Sequence, residues 1–397
     1  MKKILLFIIL LLPFYIYALD YPELNSKNVI VYDLTDNRII YEKNSNDITP
    51  IASLTKIATT ITAIETIDDL DEEVIITKDI LDKVDDEAST AKLKVNDKVT
   101  YRDLLYAAIL PSGADASLAI AILSSDNEEA FVEKMNNLVD KIGLTNTHFN
   151  NVHGLDDPNH YSTASDLLKL LKYSLDNPTF KEIYTTKEYT LSNGLRIKTT
   201  LNMFKKGDTS IIQGSKTGFT KQAGYCLSSL SNIKGFDIIV ITINGEKKNN
   251  TYYSIEDTMN ILNFINNNYI NYTIPNDRVI DKIPVNLSNI NTISITSHND
   301  VNILLPNDYN YKDLKTEYDG LNKLSFLNKK GDNIGTINYY YQDEIIYQED
   351  IILNASIKPS IEKIIAKYFY IVIILIVIIF IIINKDIIFK IITIKKD

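Results

Sequence analysis

The 397-residue chain has no tryptophan, one cysteine and only four histidines. The lone cysteine, Cys226, excludes an intrachain disulfide, and its apolar neighbours indicate a buried small hydrophobe. The histidines lack the H-x-x-x-H spacing of a helical metal site, so no metal and no cofactor are expected. Positive charge is also scarce: 41 Lys and Arg stand against 51 Asp and Glu, and the net charge of -10 argues against a nucleic-acid partner.

Long apolar runs occur at both ends of the chain. Residues 1–18 begin Met1-Lys2-Lys3, continue as an apolar stretch and end at Ala18, which is typical of a secretory signal peptide; an uncleaved anchor is the alternative. Residues 368–384 carry no charge and are nearly all Ile, Val, Leu and Phe, which predicts one transmembrane helix. Lysines follow it, so the positive-inside rule places the tail, 385–397, in the cytoplasm and the main body outside the cell membrane.

The segment between these runs predicts two domains. In the first, 22–272, apolar strands at 28–34 and 39–42 form a hairpin, and strands return at 227–231 and 236–244. Helical patterns lie between and after them, at 53–66, 101–110, 115–123, 128–142, 165–174 and 257–267. Such a sheet, with strands from both ends of the domain and helices between, is an α+β fold. Short alternating segments at 274–357 predict a small all-β domain, and 358–367 a juxtamembrane linker.

A serine and a lysine open the first predicted helix. Ser53 and Lys56 are three positions apart and share a helix face. Free N–H groups and the positive dipole end beside Ser53 favour a developing oxyanion. A lysine in a closed cleft near another cation has a lowered pKa and can accept the serine proton. Alone, this pair is equally compatible with an N-cap serine followed by a surface lysine.

Two later motifs make the pattern more specific. Ser112 begins a Ser-Gly-Ala triplet before a helix, and it can relay a proton between Lys56 and a leaving amine. The triplet Lys216-Thr217-Gly218 offers a cation and a hydroxyl to an anionic substrate end. Gly218 would remove a Cβ where substrate lies beside an edge strand.

With these three motifs in order, the chain resembles the low-molecular-mass penicillin-binding proteins, the serine-type D-alanyl-D-alanine carboxypeptidases. The resemblance covers roughly residues 27–270. Its matching segments are 50–56, 151–156, 160–167, 214–220 and 223–227.

The resemblance implies a penicillin-binding, β-lactamase-like transpeptidase fold and a function for each motif. Ser53 would attack the carbonyl between two terminal D-alanines of a peptidoglycan stem peptide, with Lys56 as base. The N–H groups of Ser53 and Phe219 would form the oxyanion hole, and Lys216, Thr217 and Gly218 would bind substrate. β-Lactams would acylate the same serine and leave slowly.

The chain departs from the family at two places. The third residue of the second motif is usually Asn and here is Ala114, which removes hydrogen bonds worth on the order of 1–3 kcal/mol. Beyond the third motif the family often places an arginine for the substrate carboxylate, whereas this chain has Lys247 and Lys248. Two alternatives follow: a catalytically weakened peptidoglycan-binding homologue, favoured by Ala114, and a β-lactamase, for which no deacylating glutamate is evident.

Overall fold

The structure is a computed structural model that describes residues 21–203 and 208–384. The predicted signal peptide, 1–18, and the predicted cytoplasmic tail, 385–397, lie outside these residues. The chain divides into two compact units, Met1–Ile270 and Asn271–Asp397. Each unit is described by itself.

The first unit contains a mixed set of strands and helices. Its strands are β1 (Asn28–Asp33), β2 (Arg38–Lys43), β3 (Glu73–Ile75), β4 (Lys98–Thr100), β5 (Glu188–Thr190), β6 (Arg196–Lys198), β7 (Ile212–Thr220), β8 (Gly224–Ile233), β9 (Phe236–Gly245), β10 (Lys247–Lys248) and β11 (Thr251–Tyr252). Its helices are α1 (Lys56–Thr66), α2 (Lys78–Leu81), α3 (Tyr101–Ile109), α4 (Ala114–Ser125), α5 (Glu128–Ile142), α6 (Ala164–Leu175), α7 (Pro178–Thr185) and α8 (Tyr253–Asn268), with 3-10 turns at Ala52–Thr55 and Thr200–Met203.

Among the described residues, five strands form an antiparallel sheet in the order β2-β1-β9-β8-β7. Every residue of β1 and most of β8 and β9 are buried. This explains the apolar runs of β1 and β9, whereas β8 also buries three serines. Helix α8 packs on β8 and β9, and α6 packs on β1 and β9. Strand β7 forms one edge of the sheet and lies against the 3-10 turn that leads into α1.

Helix α1 passes through the core of this unit. Its first eight residues, Lys56 to Ala63, are all buried, including four polar side chains. It contacts α3, α4, α5 and α6, so no face remains for solvent. A functional side chain at its first position is therefore held by packing on every side.

The second unit is all-β up to its last helix. Its strands are β12 (Tyr269–Ile274), β13 (Asp281–Asn286), β14 (Thr292–Ile295), β15 (Val301–Pro306), β16 (Leu314–Gly320), β17 (Leu324–Ser325), β18 (Asn333–Tyr341) and β19 (Glu344–Ile352). Helix α9 (Ile361–Ile383) follows, with no buried residue. In the described part of the chain it is the one helix long and apolar enough to cross a membrane.

The predicted α+β fold, small all-β segment and C-terminal helix are present. The predicted segment 128–142 matches α5 at both ends, and 101–110 and 165–174 match α3 and α6 to within one residue. The predicted linker, 358–367, is helical from Ile361 onward, because Ser360 caps a helix that continues into the apolar run.

Candidate active site

Ser53 and Lys56 meet at the buried start of α1. Lys56 Nζ donates a hydrogen bond to Ser53 Oγ at 2.9 Å. The residue before the serine, Ala52, has a φ of 49°, a left-handed conformation that costs a non-glycine residue free energy. This sharp backbone turn presents the half-buried serine to the cleft while Lys56 is only 2% exposed.

A backbone carbonyl completes this pair. The oxygen of His153 accepts a hydrogen bond from Lys56 Nζ at 2.7 Å and one from Ser53 Oγ at 3.3 Å. The loop that carries it approaches the serine turn closely at Gly154, whose φ is +88° and whose added Cβ would lie 2.0 Å from Ala52 O. Only glycine fits there, so Gly154 fixes the position of the His153 carbonyl.

Burial lowers the pKa of Lys56 to about 7, although the nearby Asp115 carboxylate opposes this shift. The neutral amine is therefore well populated near neutral pH. A neutral lysine 2.9 Å from a serine hydroxyl can accept its proton. Removal from water, one part of the expected mechanism, causes this lowering of the pKa, whereas a neighbouring cation, the other part, is not among its causes.

A second serine–lysine pair borders the same cleft through its serine, Ser112. Lys216 Nζ donates to Ser112 Oγ at 2.7 Å and to the carbonyl of Thr217 at 2.7 Å. Lys216 is 1% exposed, and burial together with the charge on Lys56 lowers its pKa well below the usual range. The hydroxyl of Ser112 thus contacts Lys216. Both predicted lysines and both predicted serines are brought into one polar cluster.

Thr217 also faces the cleft, and a threonine that sequence reasoning missed accompanies it. Thr217 Oγ1 lies 2.6 Å from Thr200 Oγ1. Thr200 begins the second 3-10 turn, and its N–H donates to the carbonyl of Leu110 just before the Ser112 motif. A lone threonine between short elements has no sequence signature of a site, so only the fold reveals it.

Gly218 serves packing as well as access. A Cβ at this position would lie 3.0 Å from both Ala52 Cβ and the backbone N of Ser53. The expectation that the missing side chain makes room for substrate is thus incomplete, because the space lies against the nucleophile's own turn. The next residue, Phe219, is 54% exposed and stacks on Tyr225 with ring centroids 4.3 Å apart.

Ala114 lines the cleft at the position of the missing family amide. Its N–H donates to the carbonyl of Ser89 at 2.8 Å, and its side chain is buried. The following residue, Asp115, accepts hydrogen bonds from the N–H groups of Ala91 at 2.8 Å and Leu93 at 3.1 Å. This carboxylate holds the loop that forms the wall opposite β7.

These residues surround one cleft of about 230 Å³. It is lined by Ser53, Lys56 and Ser112 and by His153, Thr200, Thr217, Gly218, Phe219 and Tyr225, among others. Lys216 is not part of this lining and is linked to it by its hydrogen bond to Ser112. The chain has four arginines, all within the described residues, and none of them lines it. Lys247 lies over the ring of Tyr252, 4.5 Å from its centroid, and is not part of the lining.

The remaining chemical candidates are structural. His160 Nε2 lies 2.7 Å from Thr55 Oγ1, its Nδ1 accepts from the N–H of Asn150, and burial lowers its pKa to about 4. Cys226 is buried as predicted, and burial raises the pKa of its thiol to about 12. No group of metal-binding side chains occurs among residues 21–203 and 208–384.

Two family profiles match the chain. One, described as D-alanyl-D-alanine carboxypeptidase, matches residues 17–247, and another, described as penicillin-binding protein 5, C-terminal domain, matches residues 272–359. The chain therefore belongs to the D-alanyl-D-alanine carboxypeptidase family of serine peptidases. This confirms the family and enzyme class predicted from the three motifs.

Individual relatives agree with this assignment. The chain is 32% identical over 211 residues to a D-alanyl-D-alanine endopeptidase of Escherichia coli K12, covering 52% of this chain and 67% of the relative. It is 33% identical over 218 residues to the carboxypeptidase DacF of Bacillus subtilis 168, covering 51% of this chain and 53% of the relative. The match thus spans about half the length of DacF.

Solved structures support the fold over both units. Penicillin binding protein 5 from Haemophilus influenzae superposes with a TM-score of 0.68 at 25% identity, covering 85% of this chain and 99% of that one. A structure of PBP3 from Streptococcus pneumoniae gives a TM-score of 0.73 at 20% identity, covering 85% of this chain and all of that one. The predicted penicillin-binding fold with a small β domain is confirmed.

Proposed function

We propose that the protein is an exported D-alanyl-D-alanine carboxypeptidase that removes the terminal D-alanine from peptidoglycan stem peptides. The observation that carries the proposal is the 2.9 Å contact between Lys56 Nζ and Ser53 Oγ. A second buried lysine, Lys216, contacts Ser112 and the carbonyl of Thr217, and both of these residues line the same cleft. This arrangement supports Ser53 as a nucleophile with Lys56 as its base, next to groups suited to a carboxylate.

Each step of the proposed reaction uses one part of this cleft. Neutral Lys56 takes the proton from Ser53 as Oγ attacks the carbonyl of the penultimate D-alanine. The N–H groups of Ser53 and Phe219 stabilise the oxyanion. The C–N bond then breaks, and Ser112 relays the proton held by Lys56 to the leaving amine, which restores neutral Lys56. Water hydrolyses the resulting ester and frees the serine.

The terminal carboxylate of the substrate is assigned to Lys216, Thr217 and Thr200. An arriving carboxylate favours the protonated form of Lys216, which compensates for the burial that lowers its pKa. These three residues take the place of the arginine with which other family members often bind the substrate carboxylate, because no arginine of the chain lines the cleft. β-Lactams carry a carboxylate beside the reactive carbonyl and are expected to use the same groups.

Labelling and turnover test the nucleophile together. The purified protein should bind fluorescent penicillin covalently and release D-alanine from a diacetyl-Lys-D-Ala-D-Ala peptide. Ser53→Ala should abolish both, whereas Ser210→Ala, at an exposed serine outside the cleft, should retain both. Persistent labelling of Ser53→Ala would show that another residue is the nucleophile.

Three competing activities give different products. Cleavage of a cross-linked stem dimer in preference to the pentapeptide would indicate an endopeptidase, the activity named for the Escherichia coli relative. Rapid release of penicilloate would indicate a β-lactamase. Penicillin binding with no D-alanine release would indicate the weakened peptidoglycan-binding homologue suggested by Ala114.

We also propose that the enzyme is held at the cell membrane by one span, 368–384, with the catalytic domain, 22–272, outside and the tail, 385–397, in the cytoplasm. Helix α9 supports this because none of its 23 residues is buried and it carries no charge from Tyr368 onward; it is about 34 Å long at 1.5 Å per residue. Protease added to intact cells should remove the catalytic domain and leave a tag on the C-terminus protected; cleavage of the tag would invert the orientation.

A further inference from the structure

The start of α9 is bound to the turn between β13 and β14. The N–H of Ser360 donates to the carbonyl of Leu287 at 2.8 Å. Two residues into the helix, Lys363 Nζ donates to the carbonyl of Ser288 at 2.7 Å and to Asn291 Oδ1 at 2.9 Å. The helix therefore leaves this unit from a fixed point, with the turn alongside its first residues.

A second loop reaches the same point. Strand β17 pairs in parallel with the end of β13, so the loop after it, 326–332, emerges beside the β13–β14 turn. The N–H of Lys330 donates to Ser356 Oγ at 3.0 Å, and the N–H of Ile357 donates to the carbonyl of Asn328 at 3.1 Å. We call the group formed by 287–291, 326–332 and 356–361 the base of the second unit.

The base exposes apolar side chains on three separate segments. Ile290 in the turn is 46% exposed, Leu327 in the loop is 71% exposed, and Ile361 at the helix start is 71% exposed. Single exposed apolar side chains are normal on a protein surface, whereas three on adjoining segments form a patch that indicates an interaction.

Cationic side chains lie next to these apolar ones. Lys329, Lys330 and Lys358 are exposed, while the acidic residue Asp332 lies in the loop and Glu362 directly follows the last segment. The Asp332 carboxylate accepts a hydrogen bond from the N–H of Lys329. Exposed apolar tips with lysines around them are the arrangement that binds a bilayer interface, since lysines reach anionic headgroups while apolar groups enter below them.

The distance along α9 between the base and the uncharged run matches the thickness of the headgroup layer. Lys363, which touches the turn, precedes the uncharged run at Tyr368 by five residues, about 7.5 Å at 1.5 Å per residue. The headgroup layer on each side of a hydrocarbon core is about 5–7 Å thick. A helix whose apolar run spans the core therefore holds the base at the level of the headgroups.

We propose that the base of the second unit is a membrane-contacting surface that inserts Ile290 and Leu327 into the interface of an anionic bilayer. The β domain is then seated on the membrane directly, in addition to its covalent link to the span. This inference rests on the proposed membrane span at 368–384, and it is independent of the peptidase activity.

The absence of tryptophan allows a direct test, because each introduced tryptophan is the only one in the chain. Ile290→Trp and Leu327→Trp report on the base. Ile376→Trp reports on the middle of the span. Ile345→Trp is the matched control. Ile345 is 50% exposed and lies beside the β18–β19 turn. Strands β18 and β19 are nine residues long and span about 30 Å, so this turn lies at the opposite end of the hairpin from the base loop that leads into β18.

The full-length variants are reconstituted in phosphatidylcholine–phosphatidylglycerol vesicles, with or without brominated lipid as quencher. Quenching and a blue-shifted emission are expected for positions 290, 327 and 376, with neither for 345. If 376 is quenched while 290 and 327 behave like 345, the base does not contact the membrane and the proposal is wrong. If 376 is not quenched either, the membrane span itself fails, whatever the penicillin-labelling result. Labelling of each variant with fluorescent penicillin confirms that it is folded.

Discussion

The backbone carbonyl of His153 accepts a hydrogen bond from Lys56 Nζ at 2.7 Å, so a residue outside the three motifs orients the proposed base. This carbonyl is held in turn by Glu128 at the start of α5. The Glu128 carboxylate accepts from the N–H of Val152 at 3.1 Å and lies 3.8 Å from His153 Nε2. The orientation of the Lys56 amine thus depends on the Glu128 carboxylate, which acts on it indirectly through the backbone of Val152 and His153.

Glu128→Ala is expected to slow acylation by fluorescent penicillin roughly tenfold, the order expected for losing a hydrogen bond to a charged group. Glu128→Gln keeps an acceptor for the N–H of Val152 and should recover most of the rate. The control is Glu129→Ala, which removes an exposed neighbouring carboxylate. A purely structural defect would lower the melting temperature of both Glu128 variants without separating their acylation rates. That outcome would contradict a positioning function for Glu128.

The pH dependence of acylation should follow the proton on Lys56. Because burial lowers the pKa of Lys56 to about 7, the protonated, inactive form dominates below neutral pH. The second-order rate of penicillin acylation should therefore rise as pH increases through about 7 and level off above it. A stopped-flow series from pH 5 to 9 measures this.

Lys56→Arg is the matched variant for this prediction, because a guanidinium stays protonated throughout the range. It should acylate very slowly at every pH. A wild-type rate that does not change between pH 6 and 8 would be inconsistent with Lys56 as the base.

Burial of Lys56 also links stability to pH. Its folded pKa, about 7, lies below the value of 10.5 for an exposed lysine, so the unfolded state binds more protons between these values. The contribution of Lys56 to stability therefore increases as pH rises from about 7 to about 10. Lys56→Met removes this dependence, and the melting temperature of wild type relative to the variant should rise over that window. A constant difference would mean that Lys56 titrates normally in the folded protein.

Gly154 offers a test of backbone packing around the nucleophile. Gly154→Ala places a Cβ 2.0 Å from Ala52 O and should disable penicillin labelling and lower the melting temperature. Gly194→Ala is the control, since Gly194 has a similar φ of +85° and nothing within 4 Å of its added Cβ. It should cost only the left-handed conformation, on the order of 1 kcal/mol, and leave labelling intact. Equal effects of the two substitutions would exclude the clash as the cause.

Much of this site could be predicted from the sequence because its chemistry resides in side chains at fixed spacing. Ser53, Lys56, Ser112 and Thr217 line one cleft, and Lys216 hydrogen-bonds to Ser112, as their motifs suggested. The His153 carbonyl could not be predicted as a ligand of Lys56, because every residue has a carbonyl and only the fold selects one.

The elements that were missed have a similar explanation. Strand β7, which carries the third motif, reads Ile-Gln-Gly-Ser-Lys-Thr-Gly-Phe-Thr and has neither an apolar run nor a clear alternation. Its pairing with β8 along the sheet edge determines its conformation, with Gly218 opposite Cys226. Helices α2 and α7 are too short for a periodic signal to stand out. Long helices with apolar faces, such as α5, were predicted closely because their pattern repeats over four turns.

The sharpest prediction concerns Ala114, the departure from the family pattern. Its side chain is buried and lines the cleft beside the Lys56–Ser53 pair. Ala114→Asn introduces an amide that can hydrogen-bond substrate or Lys56, worth on the order of 1–3 kcal/mol in a buried site. D-Alanine release should therefore increase about five- to 150-fold in kcat/KM.

Ala114→Leu separates the effect of the amide from the effect of side-chain bulk, because leucine has the same heavy-atom branching as asparagine, is somewhat larger and has no hydrogen-bonding groups. It should reduce both D-alanine release and penicillin acylation by obstructing the cleft. If Ala114→Asn is as slow as Ala114→Leu, the cleft has been rebuilt around the smaller residue. Alanine at this position would then be part of a working site, and the absence of the amide would carry no argument for a weakened enzyme.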